Sequence, residues 1–298
     1  MEDLPPELLR LILSYFTNLQ RKSISRVCKI FSYLKLTFKH PSSYTSLDSV
    51  STYKHSNIYN STTVFQNKLM YMKDSDIMIH DGLTETKFNT TNINDNSICV
   101  TTDNQIIVVV ETYKHTITIF NNNGKYIRRF GSYGIVSGLF RYPRGAAIDG
   151  NMIFVTDSFN KRIQVFNIYG IFLFMFGNNE HFQHPHGICT SRKNVYVTDT
   201  GVHNIQIFDK KGNLIRIFGE IINSNIRFYY PTNIVVTDEN LIIVLDVNIR
   251  KIMIFDINFK LIFILPQFDF KEGLAIFDDG KIVCTTSSYF HFFELHFD

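Results

Sequence analysis

Residues 142–177, YPRGAAIDGNMIFVTDSFNKRIQVFNIYGIFLFMFG, carry four short apolar runs separated by Gly, Asn and Asp. The runs are Gly145–Asp149, Met152–Thr156, Arg162–Phe166 and Ile171–Phe176. Such runs, rich in Val, Ile and Phe and bounded by turn residues, read as β-strands, because branched and aromatic side chains suit a pleated, half-buried surface. The pattern returns at 184–219, HPHGICTSRKNVYVTDTGVHNIQIFDKKGNLIRIFG, and at 230–265, YPTNIVVTDENLIIVLDVNIRKIMIFDINFKLIFIL, without an internal gap. Pro143, Pro185 and Pro231 mark one column, Asp157, Asp199 and Asp246 a second, and Phe166, Phe208 and Phe255 a third. Four strands recurring roughly every forty residues describe the blade of a β-propeller.

Fainter copies flank these three. Residues 97–131 keep the strands IIVVV and TITIF and close on Phe130-Gly131, as other units close on Phe176-Gly177 and Phe218-Gly219. Residues 62–89 keep the four-strand spacing, and 273–295 supply three strands before the chain ends. An unpaired edge there invites unwanted pairing, so a strand from about 49–55 is expected to complete the last blade. The expected fold is mainly β: a six-bladed propeller over 41–298, preceded by a small all-α segment over 1–40. Its blades fall at about 62–89, 97–131, 145–177, 187–219, 233–265 and 273–298.

The blade signature resembles the NHL repeat: Pro-x-Gly near the first strand, Val-x-Asp ending the second, Asn-x-Arg-Ile-x-Val-Phe in the third and Phe-Gly at the close. Residues 142–177 match it almost throughout, and the linker GSYGIVSGLFRYP over 131–143 is similar to the loops between NHL blades. The resemblance implies a six-bladed propeller whose loops on one face bind a partner.

The repeat also serves as an internal control on chemistry. Cys99 and Cys189 share a column with Ala147, Val235 and Ala275, so they read as small apolar packing. The Asp157, Asp199 and Asp246 column, with Glu111 in its place one blade earlier, closes the second strand before a turn; carboxylates there accept backbone hydrogen bonds. His184 replaces Tyr142 and Tyr230 in an aromatic column expected to pack, and His186 occupies a variable column expected to face a loop surface. His115, Lys161, His203 and Arg250 make one column basic in four blades, with Arg144 and Arg227 placed in nearby loops. These residues are either solvated turn positions or a surface for an acidic or phosphorylated partner. The target-binding candidates are therefore Arg144, Lys161, His186, His203, Arg227 and Arg250, with Tyr142, Phe159, Tyr229 and Tyr230 as a possible aromatic patch.

Composition narrows the classes of function. The chain has 298 residues, of which 45% are hydrophobic and 19% charged, enough for a sizeable core. Residues 1–40 hold seven Lys or Arg and three acids, whereas the remainder holds 23 and 24. A propeller close to neutral argues against non-specific nucleic-acid binding. Cys28, Cys99, Cys189 and Cys284 are far apart, with no C-x-x-C pair and no disulfide framework. The first twenty residues, with Glu2, Asp3, Pro5 and Pro6, do not read as a signal peptide, and no apolar stretch is long enough to cross a membrane. No G-x-S-x-G elbow, P-loop or H-E-x-x-H motif is present, the histidines do not recur as a metal-binding set, and no catalytic residue, metal or cofactor is expected.

The first segment, LPPELLRLILSYF over 4–16, places Leu4, Leu8, Leu11, Ile12 and Tyr15 at helical spacing, and Pro5 and Pro6 suit a first turn. A second stripe, Ile24, Val27, Cys28, Phe31 and Leu34, follows. Two such helices are too little chain for a separate core, so they need a partner. The pair LPPELLRLILSYF and SISRVCKIFSYL resembles an F-box, on Leu4, Pro5, Glu7, Leu8, Leu9, Ile12 and Leu13 and then Arg26, Val27, Cys28, Lys29 and Phe31, where the family more often has Trp at the last position. The resemblance implies that Leu4, Pro5, Leu8, Leu9, Ile12, Leu13, Val27, Cys28 and Phe31 dock a Skp-type adaptor, and through it a cullin–RING ubiquitin ligase of SCF type, in the cytoplasm or nucleus. The propeller would hold an unknown target protein. Two alternatives, an RNA-binding NHL propeller and a zinc-dependent NHL-type lyase, leave the N-terminal motif unexplained.

Overall fold

The computed structural model describes residues 47–54, 62–73, 76–81, 84–88, 93, 99–219, 227–265, 270–286 and 289–295. Two compact units divide the chain, Met1–Ser43 and Tyr44–Asp298, and all described residues belong to the second. The helical segment expected before residue 40, with its nine adaptor-docking candidates, lies outside them.

The second unit is a six-bladed β-propeller, a ring of six four-stranded antiparallel sheets. Blade one is built from Thr62–Phe65, Lys68–Lys73, Asp76–His80 and Glu85–Lys87, and blade two from Cys99–Thr102, Ile106–Glu111, Thr116–Asn121 and Tyr126–Phe130. Blade three is Pro143–Asp149, Met152–Asp157, Arg162–Asn167 and Phe172–Phe176; blade four is Pro185–Thr190, Asn194–Asp199, Asn204–Asp209 and Leu214–Phe218. Blade five is Pro231–Val236, Ile242–Asp246, Lys251–Phe255 and Leu261–Ile264. Blade six takes Phe270–Ile276, Ile282–Thr286 and Tyr289–Leu295 from the end of the chain and Leu47–Lys54 from before blade one. Leu47 pairs with Leu295 and Lys54 with Tyr289, which ties the two ends of the ring together and covers an otherwise open edge.

Each first strand lies innermost, and consecutive inner strands contact one another until blade six meets blade one. Six apolar clusters fill the six interfaces between blades. Strand alternation feeds two clusters from one strand: Ile153 and Val155 turn towards blade two, and Phe154 towards blade four. Both faces of the second strand are therefore buried, which is why MIFV reads as a continuous apolar run.

Two glycine columns fix how the blades join. Gly177, at φ +79°, ends the outer strand, and a β-carbon there would lie 2.4 Å from the ring of Phe182. Phe182, like Phe140 and Phe228 in equivalent linkers, is fully buried. The Phe-Gly close and the F-x-x-P linker are thus one device: the linker aromatic lies over the glycine and plugs the blade interface. Gly187 serves the other end of the joint. Its N–H donates to Thr198 Oγ1 at 2.8 Å, and that hydroxyl donates to the carbonyl of Thr232 in the next blade at 3.2 Å. Gly145, Thr156 and the carbonyl of His186 repeat the latch between blades three and four, at 2.7 and 2.8 Å.

The latch has a cost in regularity. Because the glycine N–H turns to a threonine hydroxyl, the ladder slips between Pro143 and Ala146 and between Pro185 and Ile188. The inner strand accordingly begins at Pro143 rather than at Gly145.

A β-carbon at Gly187 would sit 2.3 Å from the Thr232 carbonyl oxygen, a backbone atom that cannot swing away. Gly187→Ala is expected to lower unfolding free energy by about 3 kcal/mol. Gly150→Asn, at a turn with φ +54° and open space around it, should stay within about 0.5 kcal/mol of wild type. Urea denaturation of the two variants checks both.

Candidate functional site

Blade topology gives the ring two unlike ends. The turns between second and third strands and the linkers between blades emerge at one, called here the linker end. The turns after the first and third strands emerge at the other.

At the linker end the repeated carboxylates are buried and fully engaged. Asp199, completely buried, accepts the N–H groups of Gln183 (2.7 Å), His184 (2.9 Å) and Gly201 (2.8 Å). Asp246 accepts those of Tyr229 (2.6 Å), Tyr230 (3.0 Å) and Asn248 (3.2 Å). Asp157 accepts the Arg141 N–H at 2.7 Å and pairs with Arg162 at 2.8 Å. Burial pushes its carboxyl above the ordinary range, while these donors oppose the rise. Glu111, in the same column, accepts from the Thr118 hydroxyl and pairs with Arg129. Each of the three aspartates pins the linker entering its blade to the turn leaving its second strand, and Glu111 ties the third and fourth strands of its blade, so the column is structural. Asp199→Ala orphans those buried N–H groups and should cost about 3 kcal/mol in thermal or urea unfolding.

The basic column has its own geometry. His115, Lys161, His203 and Arg250 all adopt left-handed backbone, with φ of 60°, 54°, 59° and 53°. Asn, Asp, His or Gly fit that conformation better than Lys or Arg, so backbone geometry accounts for His115 and His203 but not for Lys161 and Arg250. Lys161 and His203 are half-buried, and Arg250 is exposed. Exposed Arg227 lies over the Tyr229 ring at 5.0 Å. Arg144 and His186 depart from the loop placement expected of them. Both sit on inner strands and line a central channel of about 340 Å³, which all six inner strands enclose. His186 is buried, with Nδ1 at 3.1 Å from the Thr232 carbonyl, because the strand begins at Pro185 and carries it into the wall. The small apolar column of Cys99, Ala147, Cys189, Val235 and Ala275 also lines the channel, and burial pushes the Cys189 thiol up.

Aromatic rings run along the linker end of blades two to four. Tyr113 lies 6.1 Å from Tyr142, Tyr142 4.8 Å from Phe159, and Phe159 5.5 Å from His184. Packing holds the arc in place but leaves it open to solvent: Tyr113 is 58% exposed and Phe159 44%. Tyr133, equally exposed, packs on His115 and carries Arg141 over its ring. Tyr230, expected to pack, is 40% exposed. Sequence columns could have found Tyr113, which stands two residues after Glu111 as Phe159 stands two after Asp157, whereas Tyr133 has no aromatic counterpart in the other linkers.

Tyr142 N–H donates to His115 Nδ1 at 3.1 Å, which requires that nitrogen to be unprotonated. Burial, reinforced by Arg141 and opposed by Asp157, holds the His115 pKa below its ordinary value of 6.5. Stability from this neutral imidazole is present above pH 6.5 and is lost as pH falls through the lowered pKa. A proton NMR titration should place the His115 midpoint below 6.5 and show the Tyr142 amide shifting with it.

Among the described residues, no three His, Cys, Asp or Glu side chains group so as to hold a metal ion, and no helix is long and apolar enough to cross a membrane. The ring, its latches and its linkers define a six-bladed propeller built from repeats. The family model of the NHL repeat matches residues 140–166 and 182–208, and that of the F-box domain matches residues 1–38. The chain thus carries an F-box domain ahead of NHL repeats. No curated protein sequence matches it significantly. Among solved structures it is similar to a streptogramin B lyase (TM-score 0.63, 13% identity, covering 82% of this chain and 98% of that one). It is also similar to virginiamycin B lyase from Staphylococcus aureus (0.60, 14%, 84% and 100%) and to a gluconolactonase from Xanthomonas campestris (0.63, 13%, 80% and 87%). At such identities the likeness shows the fold alone.

Proposed function

We propose that the chain is a substrate receptor of an SCF-type cullin–RING ubiquitin ligase, working in the cytoplasm or nucleus. The observation that carries this reading is the F-box domain match at 1–38 in one chain with an NHL-repeat propeller. The F-box docks a Skp-type adaptor through Leu4, Pro5, Leu8, Leu9, Ile12, Leu13, Val27, Cys28 and Phe31. The linker end of the propeller holds the target protein. No residue of the chain performs covalent chemistry in this scheme. The receptor raises the effective concentration of a target lysine near the charged conjugating enzyme, and proximity supplies the acceleration.

Burying a leucine against the adaptor contributes roughly 1.5–3 kcal/mol, so Leu8→Ala with Leu9→Ala should weaken adaptor binding by more than about a hundredfold. Affinity purification of wild type beside the double variant reads this directly. Wild type should bring down adaptor and target together, and the variant should lose the adaptor while keeping the target. Equal adaptor recovery from both would sink the reading.

A further inference from the structure

We propose that the linker end of blades two to five binds an extended acidic peptide segment, rich in Asp and Glu, with an apolar side chain seated on the Tyr142–Phe159 arc. The proposal rests on reading the linker end as the target-binding face, and it names the chemistry of the target.

Charge is partitioned between the two ends in a way the net charge conceals. Six cations reach the linker end with half-buried or exposed side chains: Lys114, Arg141, Arg144, Lys161, Arg227 and Arg250. The carboxylates of the same turns, Glu111, Asp157, Asp199 and Asp246, are buried and spent on hydrogen bonds. Among the described residues of blades two to five, Glu180 is the exposed acid left in the linkers and turns of that end, and Asp76, at the same end of blade one, is paired with Lys87. Acids and cations mix at the opposite end, where Asp103, Asp149, Asp209 and Asp256 stand beside Lys125, Lys210, Lys211 and Lys260. Lys114, Arg144 and Lys161 make no ion pair among the described residues, so their charge remains available to a ligand. In the left-handed column Lys161 and Arg250 add positive charge where the backbone would favour Asn or Gly.

The distribution selects the kind of anion. Lys114 belongs to blade two, Arg141, Arg144 and Lys161 to blade three and the linker entering it, and Arg227 and Arg250 to blade five and its linker, a spread along the end that suits carboxylates strung along a segment. A single phosphate draws several donors to one point. The aromatic rings disfavour a nucleic acid. Tyr142 meets Tyr113 and His115 nearly edge to face, at 88° and 90°, and Phe159 at 47°. Rings so engaged form an angled cradle for an apolar side chain rather than flat platforms for successive bases. Arg144 stands at the wall of the channel, where a carboxylate is shielded from water and its pairing strengthened.

Selection of a random linear peptide library on the immobilised full-length chain tests this, with adaptor binding measured on the same preparation. Enriched peptides are expected to carry net negative charge and at least one aromatic or large aliphatic residue. Arg144→Glu with Lys161→Glu should weaken them by more than roughly tenfold, and added salt should weaken them too. Lys211→Glu, at the opposite end, should bind as wild type. Thermal unfolding checks the double variant; if it does not fold, Lys114→Glu with Phe159→Ala, both at exposed side chains, takes its place. Absence of enrichment, enrichment of neutral or basic peptides, or undiminished binding by the charge-reversed variant would overturn the proposal. So would an oligo(U) RNA that binds more tightly than the best peptide and displaces it. Loss of adaptor binding alone would instead remove the ligase reading and leave the peptide site standing.

Discussion

Six inner strands can share one axis only if each backbone comes close to the next, and a hydroxyl makes that approach at two of the joints. Thr198 takes the N–H of Gly187 and gives its own proton to the Thr232 carbonyl across the blade boundary. Thr156 does the same for Gly145 and His186. The glycine is obligatory because a β-carbon would meet the neighbouring carbonyl at 2.3 Å in one joint and 2.6 Å in the other. Everything further out follows from that contact. The buried second strands, the Phe-Gly closures and the linker aromatics all radiate from a ring whose inner spacing the latch sets.

The same joints decide what the linker end can offer a partner. Each linker must be held where it turns into the next inner strand, and a buried carboxylate holds it by accepting successive N–H groups. Acids that a charge count would place on the surface are thereby withdrawn from it. The cations of the adjoining turns have no such duty and stay outward. Fold maintenance and surface electrostatics are in this way one arrangement: the residues that close the blades leave the end basic.

Much of the ring was legible because its constraint repeats. Asp157, Asp199 and Asp246 announced a backbone-binding role by recurring, and the structure gives them that role. The six blades were legible for the same reason. Features that depend on geometry across the ring were not. Arg144 and His186 look like loop residues, since they follow a turn-like Pro, yet a slipped register brings both onto inner strands at the channel wall. The F-x-x-P linker aromatics, Phe140, Phe182 and Phe228, are plainly repeated but gain meaning only when each is seen lying over the glycine that closes the previous blade. Tyr133 belongs to a single linker, so no column marked it, while Tyr113 shares the Phe159 column and only its exposure beside Tyr142 shows its place in the arc.

The sequence by itself determined the repeat, the number of blades and the resemblance of both segments, because alternation, turn chemistry and motif spacing are local properties that the chain writes along its length. It could also count charge, but not sort it. Which acids are consumed, which cations face outward and which aromatics stay open depend on neighbours from other blades, tens of residues away. Only the closed ring decided those, since burial and hydrogen bonding are set by what packs against a residue rather than by what precedes it.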